Sequence, residues 1–284
     1  MKHAVCLPKP CRLASAITGL LLAALAAVVA IGYSPAQAQA PSGLAQLLRA
    51  PHRTAGNVAR DAFRHPLEVI AFFGIKDDSR VVEILPGSGA YYLEILAPYL
   101  KTKGLYIAAN RDGAAAPQYL ADHRKLLARL QAEPMLYEKV LVTQFNADVH
   151  EIAPPGSADF VLTFRNLHNW MARDETEGAL RAFHKALKPG GVLGVVDHRG
   201  RGDLTQDAQM PTGYIRQDVA IAPIEKAGFK LAGTSEVNAN PKDTKDYAEG
   251  VWTLPPAYRL KDQDRAKYAA IGESDRFTLK FIKQ

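Results

Sequence analysis

Val81-Val82-Glu83-Ile84-Leu85-Pro86-Gly87-Ser88-Gly89-Ala90 is the stretch on which the fold turns: a β-branched apolar run enters a Pro-Gly-x-Gly turn, and a helical period follows over residues 90–100. Glycines at such a turn let a ligand approach the backbone closely, and the N-terminus of the helix behind it favours negative groups. Two common readings fail here. A dinucleotide fingerprint wants a third glycine where Tyr92 stands, and a nucleophile elbow wants glycine where Pro86 precedes Ser88 by two places.

Outward from this turn, strand-like and helix-like segments alternate. Short apolar runs at 80–85, 105–109, 138–145, 159–164 and 192–196 read as strands, and 117–131, 174–187 and 214–227 read as helices. Continuous apolar strands separated by helices predict a parallel sheet buried on both faces, hence a doubly wound α/β fold in one domain spanning 39–284. Before it, Val58, Ala62, Phe63, Val69, Ile70, Phe72 and Phe73 predict one or two short helices covering a sheet edge, with Pro66 forcing a break or a fresh first turn. After it, 229–237 and 277–282 read as strands, joined by the long insertion 238–276 with its exposed-looking Val251-Trp252-Thr253-Leu254-Pro255-Pro256. A connection of this length reads equally as a functional lid or as a solvated cover.

The 284 residues are 48% hydrophobic, 8% aromatic and 23% charged, which excludes a disordered tail, a collagen-like repeat and a multi-span membrane protein. Residues 1–38 have the design of a secretory signal peptide: a basic start, an apolar run over 14–31, and Ala36-Gln37-Ala38-Gln39-Ala40 with cleavage expected after Ala38. The rival reading is a retained membrane anchor. Lipidation is not expected, because Cys11 precedes the apolar run. Cys6 and Cys11 both lie in this segment, so the body of the chain has no cysteine for a disulfide scaffold or a Cys-ligated zinc. Export without cysteines suits a bacterial periplasm. Lys2, Lys9 and Arg12 are the segment's only cations and it holds no acid, so the formal charge falls from +6 to +3 beyond it, too weak a bias for nucleic-acid binding.

The chain resembles the class I S-adenosylmethionine-dependent methyltransferases over about 80–237. Glu83-x-x-Pro-Gly-Ser-Gly89 resembles the family's first motif, whose glycine loop sits beside the methionine part of the cofactor. Leu187-Lys188-Pro189-Gly190-Gly191 before the run 192–196 resembles the turn into its fifth strand, Ala227-Gly228-Phe229 the entry to its sixth, and Ser157-Ala158-Asp159-Phe160-Val161 the start of its fourth. The resemblance implies a seven-stranded, mostly parallel sheet with a C-terminal antiparallel hairpin, and S-adenosylmethionine bound by Glu83, Pro86, Gly87, Ser88 and Gly89. More narrowly, Arg165-Asn166-Leu167-His168-Asn169-Trp170 and the tail 238–274 are similar to a group of exported bacterial methyltransferases. Two departures stand out. Leu85 occupies a common glycine position, and Asn110 ends the second strand where an acid usually binds both ribose hydroxyls; a neutral amide lacks the charge assistance of a carboxylate. For adenine the pattern points to Asp148.

The segment 165–170 follows the fourth strand of that pattern, where an open α/β sheet places its ligand. Its polar and cationic side chains beside a tryptophan point to an acceptor site, with Arg165 and Asn166 counted among the cofactor contacts. Methyl transfer requires alignment of the nucleophile behind the methyl and removal of its proton when it carries one. His168 is the candidate base, and a helix-capping or core-satisfied imidazole is its bland reading. Asp197, with His198, ends the fifth strand on the same sheet edge and is the candidate assistant. Tyr91 and Tyr92 read as packing residues. His52, His65, His123, His150 and His184 show no His-x-x-x-His pairing, so no metal site is expected. These residues predict a methyltransferase acting on a small-molecule acceptor in the periplasm. The alternative is a non-catalytic ligand-binding protein on the same scaffold, which Asn110 favours, and a nicotinamide oxidoreductase is opposed by the missing third glycine.

Overall fold

The structure is a computed structural model that describes residues 43–111, 117–146 and 150–284. The expected signal peptide and Asp148 lie outside these residues. Among the described residues no helix is long and apolar enough to cross a membrane.

Four short helices open the domain: α1 (Leu44–Leu47), α2 (Ala55–Val58), α3 (Asp61–Arg64) and α4 (Pro66–Phe73). The alternation then runs β1 (Arg80–Ile84), α5 (Leu93–Leu100), β2 (Leu105–Asn110), α6 (Pro117–Ala132), α7 (Pro134–Tyr137), β3 (Leu141–Phe145), β4 (His150–Glu151) and β5 (Ala158–Phe164). It ends with α8 (Leu167–Ala172), α9 (Thr176–Ala186), β6 (Leu187–His198), α10 (Gln217–Lys226), β7 (Phe229–Ser235), a 3-10 turn at Gly250–Thr253, α11 (Arg265–Ile271) and β8 (Arg276–Lys283).

The strands form one sheet in the order β4-β3-β2-β1-β5-β6-β8-β7. β1 pairs in parallel with both β2 and β5, so the connections diverge on either side of it. That divergence opens a crevice outside the carboxyl ends of β1 and β5. β8 runs antiparallel between β6 and β7. The expected doubly wound α/β sheet with a C-terminal antiparallel hairpin is therefore present, with eight strands rather than seven. The extra one is the two-residue edge strand β4, antiparallel to β3, and too short to leave a periodic signature in the sequence.

The apolar runs are continuous because both faces are covered. Val82 and Ile84 of β1, Ile107 and Ala109 of β2, and Val161 of β5 pack with Trp170, Phe183, Leu193 and Val195 on one face. Val81, Tyr106, Ala108, Phe160 and Leu162 pack with Leu93, Ile95, Leu96, Ile70 and Phe73 on the other. The N-terminal helices do not cover an edge, as the sequence suggested. α4 lies on the second face, and Phe73 sits so close to β6 that a Cβ at Gly194 would stand 2.8 Å from its ring and from Leu162. Glycine is what lets α4 approach the middle of the sheet.

The insertion 238–276 is a packed cover. Val251 is 5% exposed and Thr253 and Leu254 are fully buried, against the exposed reading of that stretch. Gly250 abuts the Thr212 backbone, and Tyr214 donates its hydroxyl to both oxygens of buried Asp243.

The Gly194→Ala substitution is expected to cost about 1–3 kcal/mol by overpacking. Urea unfolding checks it, and a midpoint equal to the wild type would mean that the Phe73 contact is loose.

Candidate active site

A cavity of about 410 Å³ opens at the crevice, joined through Leu85, Gly87, Asp122, Asn166 and Asn169 to a lobe of about 270 Å³. Its rim comes from the ends of β1 and β5. Leu85 and Arg165 each directly follow their strand with left-handed backbones, φ 52° and 62°, and each still donates its N–H to the next strand, to Ala109 O at 2.8 Å and Val196 O at 2.7 Å. Positive φ at such residues is strain that surrounding structure must over-determine, and it clusters at ligand sites. Here the sharp turns bring both residues to the cavity wall. Asn166 Nδ2 ties the two strand ends together by donating to Ile84 O and Thr163 Oγ1, both at 3.2 Å.

The glycine loop lies between these ends. Gly87 has φ +67°, and a Cβ built on Gly87 or Gly89 meets nothing within 4 Å, so bare backbone faces open space. The loop is held from behind by buried Asn57 of α2, whose Nδ2 donates to Gly89 O at 2.8 Å. Glu83 and Ser88 line the larger lobe, while Asn110 lies at the end of the smaller one with Tyr119, Trp170 and Arg173. Glu83 is buried, accepts a hydrogen bond from Tyr106 Oη, and burial pushes its carboxyl up to about 7 against the opposing pull of that bond and of Arg64.

His168 and Asp197, named from the sequence as base and assistant, meet beside the same cavity. Asp197, fully buried at the end of β6, accepts His168 Nδ1–H at 2.9 Å, His168 N–H at 3.2 Å and His198 N–H at 2.7 Å. Burial works to raise its pKa, but these donors win and hold the carboxylate below its usual range. With Nδ1 carrying the proton, His168 Nε2 is the basic atom; Asn169 Nδ2 donates to it at 2.9 Å. His168 itself lines the cavity. His198, 5.2 Å from His168 between ring centres, bonds Ser274 Oγ through Nδ1 at 2.5 Å. Burial and the nearby His168, Arg165 and Arg276 outweigh Asp197 and push its pKa well down, so it stays neutral.

His168, Asp197 and His198 also form a grouping able to hold a metal ion, with one ligand atom each within 4.8 Å of the others. No His-x-x-x-His spacing signals it, because His168 lies in the first turn of α8 while Asp197 and His198 are neighbours at the end of β6. The three N–H donors on Asp197 give it an orienting role toward His168. Tyr91 and Tyr92 are buried packing residues as expected, Tyr92 stacking on Phe164 at 3.9 Å, and both also form cavity wall. Sequence reasoning missed the cover's contribution, above all Trp252, whose ring centre lies 6.1 Å from that of His168, and Glu273.

Residues 114–195 match the family described as "Methyltransferase domain". No protein of curated function matches the chain by sequence. Among solved structures, an S-adenosylmethionine-dependent methyltransferase from Aquifex aeolicus aligns over 85% of this chain and 98% of its own, at 15% identity and a TM-score of 0.52. The [4+2]-cyclase SpnF aligns over 78% of this chain and 80% of its own, at 18% identity and a TM-score of 0.51. The fold is thus that of the S-adenosylmethionine-dependent methyltransferases, a class whose cofactor is S-adenosylmethionine. The cavity fits that group. The open Gly87 and Gly89 backbone with Glu83 would take its amino-acid end, and Asn110 its ribose, while Pro86 and Ser88 shape the loop.

Because Glu83 titrates above the ordinary value of 4.5, its proton favours the fold: this contribution is complete below 4.5 and is lost as pH rises to about 7. Urea unfolding at about pH 5 and about pH 8 should show that loss in the wild type and a smaller one in Glu83→Gln. The same substitution removes a charge-assisted contact and is expected to weaken binding of S-adenosylhomocysteine roughly ten- to a hundredfold above pH 7. Equal affinity for both proteins would remove Glu83 from the site.

Proposed function

We propose that the protein is a periplasmic methyltransferase that moves the methyl group of S-adenosylmethionine to a small-molecule acceptor bearing a proton on its attacking atom. One observation carries this reading: the Asp197–His168 pair faces the same cavity as the open glycine loop. When bound, S-adenosylmethionine supplies an electrophilic methyl group on a sulfonium sulfur. Asp197 fixes the His168 ring with its proton on Nδ1 and stabilises the cation formed when Nε2 takes the acceptor's proton. Asn169, now on Nε2, gives way to the acceptor. Trp252 and Tyr92 wall the cavity and limit water around the reacting atoms. The N-terminal segment 1–38 supports export, and the similarity of 165–170 and the tail to exported methyltransferases points the same way.

A second reading, a ligand-binding protein without transfer, is favoured by Asn110, whose neutral amide stands at the buried strand end. The two separate on one protein. Calorimetric titration with S-adenosylmethionine and S-adenosylhomocysteine should show micromolar binding, and no heat at millimolar ligand overturns the methyltransferase reading. His168→Gln should then leave S-adenosylhomocysteine affinity within about threefold and lower methyl transfer to a screened acceptor by roughly 10²–10⁴. Unchanged turnover in that variant would remove His168 as the base.

A further inference from the structure

Four arginines converge on one carboxylate at the side of the cavity away from Asn110. Glu273 is 4% exposed and receives Arg60 Nε at 2.7 Å, Arg64 Nε at 3.1 Å and Arg276 Nη1 at 2.8 Å. The arginines hold its carboxyl down at about 2 in spite of burial, so it is always charged. Arg276 uses its remaining donors on Phe63 O and Ser274 O. The other three are not used up. Nη2 of Arg60 and Nη2 of Arg64 are buried without a hydrogen-bond partner, and the Arg165 guanidinium has no hydrogen-bond or ion-pair partner among the described residues. Arg60, Arg64 and Arg165 all line the cavity that holds His168.

Charge counting gives this arrangement a direction. Four guanidiniums share one carboxylate, Glu273; Asp61 is already paired with Arg53, and the other acids of the site, Glu83, Asp122 and Asp197, make no hydrogen bond or ion pair with Arg60, Arg64 or Arg165 among the described residues. Burial and mutual repulsion depress Arg165 to about 9 and lower Arg60 and Arg276 as well. Buried charge is costly unless it is compensated, and guanidinium forks match a carboxylate with two parallel bonds. The cofactor does not compensate it, because its sulfonium, ammonium and carboxylate add up to one further positive charge. The partnerless donors of Arg60, Arg64 and Arg165 therefore suit an anion carried by the other substrate.

We propose that the methyl acceptor is a carboxylate-bearing small molecule, its anion held by Arg60, Arg64 and Arg165 and its reacting atom presented to His168 Nε2. This rests on the methyltransferase reading, names the substrate class of that site, and gives Arg165, expected from the sequence among the cofactor contacts, to the acceptor instead. Arg64 would be placed by Glu273 and by Tyr91, whose ring lies 4.5 Å from its guanidinium carbon. Arg165 is aimed by its left-handed turn.

Benzoate and its neutral isostere benzamide are the probes, titrated into the protein with and without saturating S-adenosylhomocysteine. Benzoate is expected to bind at least tenfold more tightly than benzamide, alongside S-adenosylhomocysteine. Arg165→Met, which breaks no ion pair, should cost benzoate at least tenfold while benzamide and S-adenosylhomocysteine change less than threefold. Equal binding of the two probes overturns the proposal from the wild type alone, whether or not the variant folds. Competition between benzoate and S-adenosylhomocysteine, with Arg165→Met weakening S-adenosylhomocysteine but not 5′-methylthioadenosine, overturns it in favour of the cofactor's own carboxylate. Failure of S-adenosylhomocysteine to bind sinks the methyltransferase reading instead, and the two probes without it still judge the anion site.

Discussion

The Glu273 carboxylate is the knot on which the rest of the site depends. It lies in the cover and collects Arg60 and Arg64 from the N-terminal helices, Arg276 from β8, and the field of Arg165 from the end of β5. These segments are far apart in sequence, and apolar packing alone would leave their arginines mutually repelling. A buried ion pair is weak evidence for net stability, but removing one partner leaves an uncompensated charge at a cost of roughly 3–5 kcal/mol. With several cations on one anion the loss of the anion is worse. Placing N-terminal helices and cover against the same cavity wall therefore requires this one acid.

A second charged knot supports the glycine loop from behind. Glu94 on α5 is fully buried and receives Arg129 of α6, with Arg53 at 3.8 Å and Thr54 Oγ1 at 3.0 Å. Arg53 also holds Asp61, which accepts the Tyr91 hydroxyl at 2.6 Å. Asn57, one turn along, then reaches Gly89 O. The loop thus keeps a bare backbone toward the cavity while its back is fixed by polar contacts. Its freedom of approach comes from glycine and its position from charge.

How legible this was in the sequence follows from which forces are local. The runs 80–85, 105–109 and 192–196 are apolar because their own neighbours cover both faces, so period and composition located β1 and β2 to within a residue and the middle of β6, whose first five residues, 187–191, had read as a turn. The glycine loop and His168 were legible for the same reason, as a turn after a strand carries its own residue types. The His168–Asp197 bond joins the first turn of α8 to the end of β6; sheet order placed both residues on one edge, and no spacing announced the bond. The arginine cluster was not legible at all. Arg60 precedes the short helix α3 and Arg64 ends it, and nothing near them in sequence announces Glu273. The burial of the cover was hidden for the same reason: Val251 and Trp252 stand against Gly213, and Gly250 against Thr212, residues well before them in the chain.

Asn110 acquires a reason in this setting. A carboxylate at the end of β2 would offer two charge-assisted acceptors to the ribose hydroxyls; the Asn110 amide offers one neutral acceptor and one donor group, a weaker grip that costs less to desolvate at this buried strand end. The lobe around it already holds Arg111, Asp122 and Arg173, so its polarity does not depend on position 110. The larger lobe is different. On the proposed reading, its partnerless guanidiniums oppose the sulfonium that methyl transfer requires, and an anionic acceptor relieves that opposition. Cofactor and acceptor anion then favour one another through the field between them, and by linkage each raises the other's affinity by the same factor.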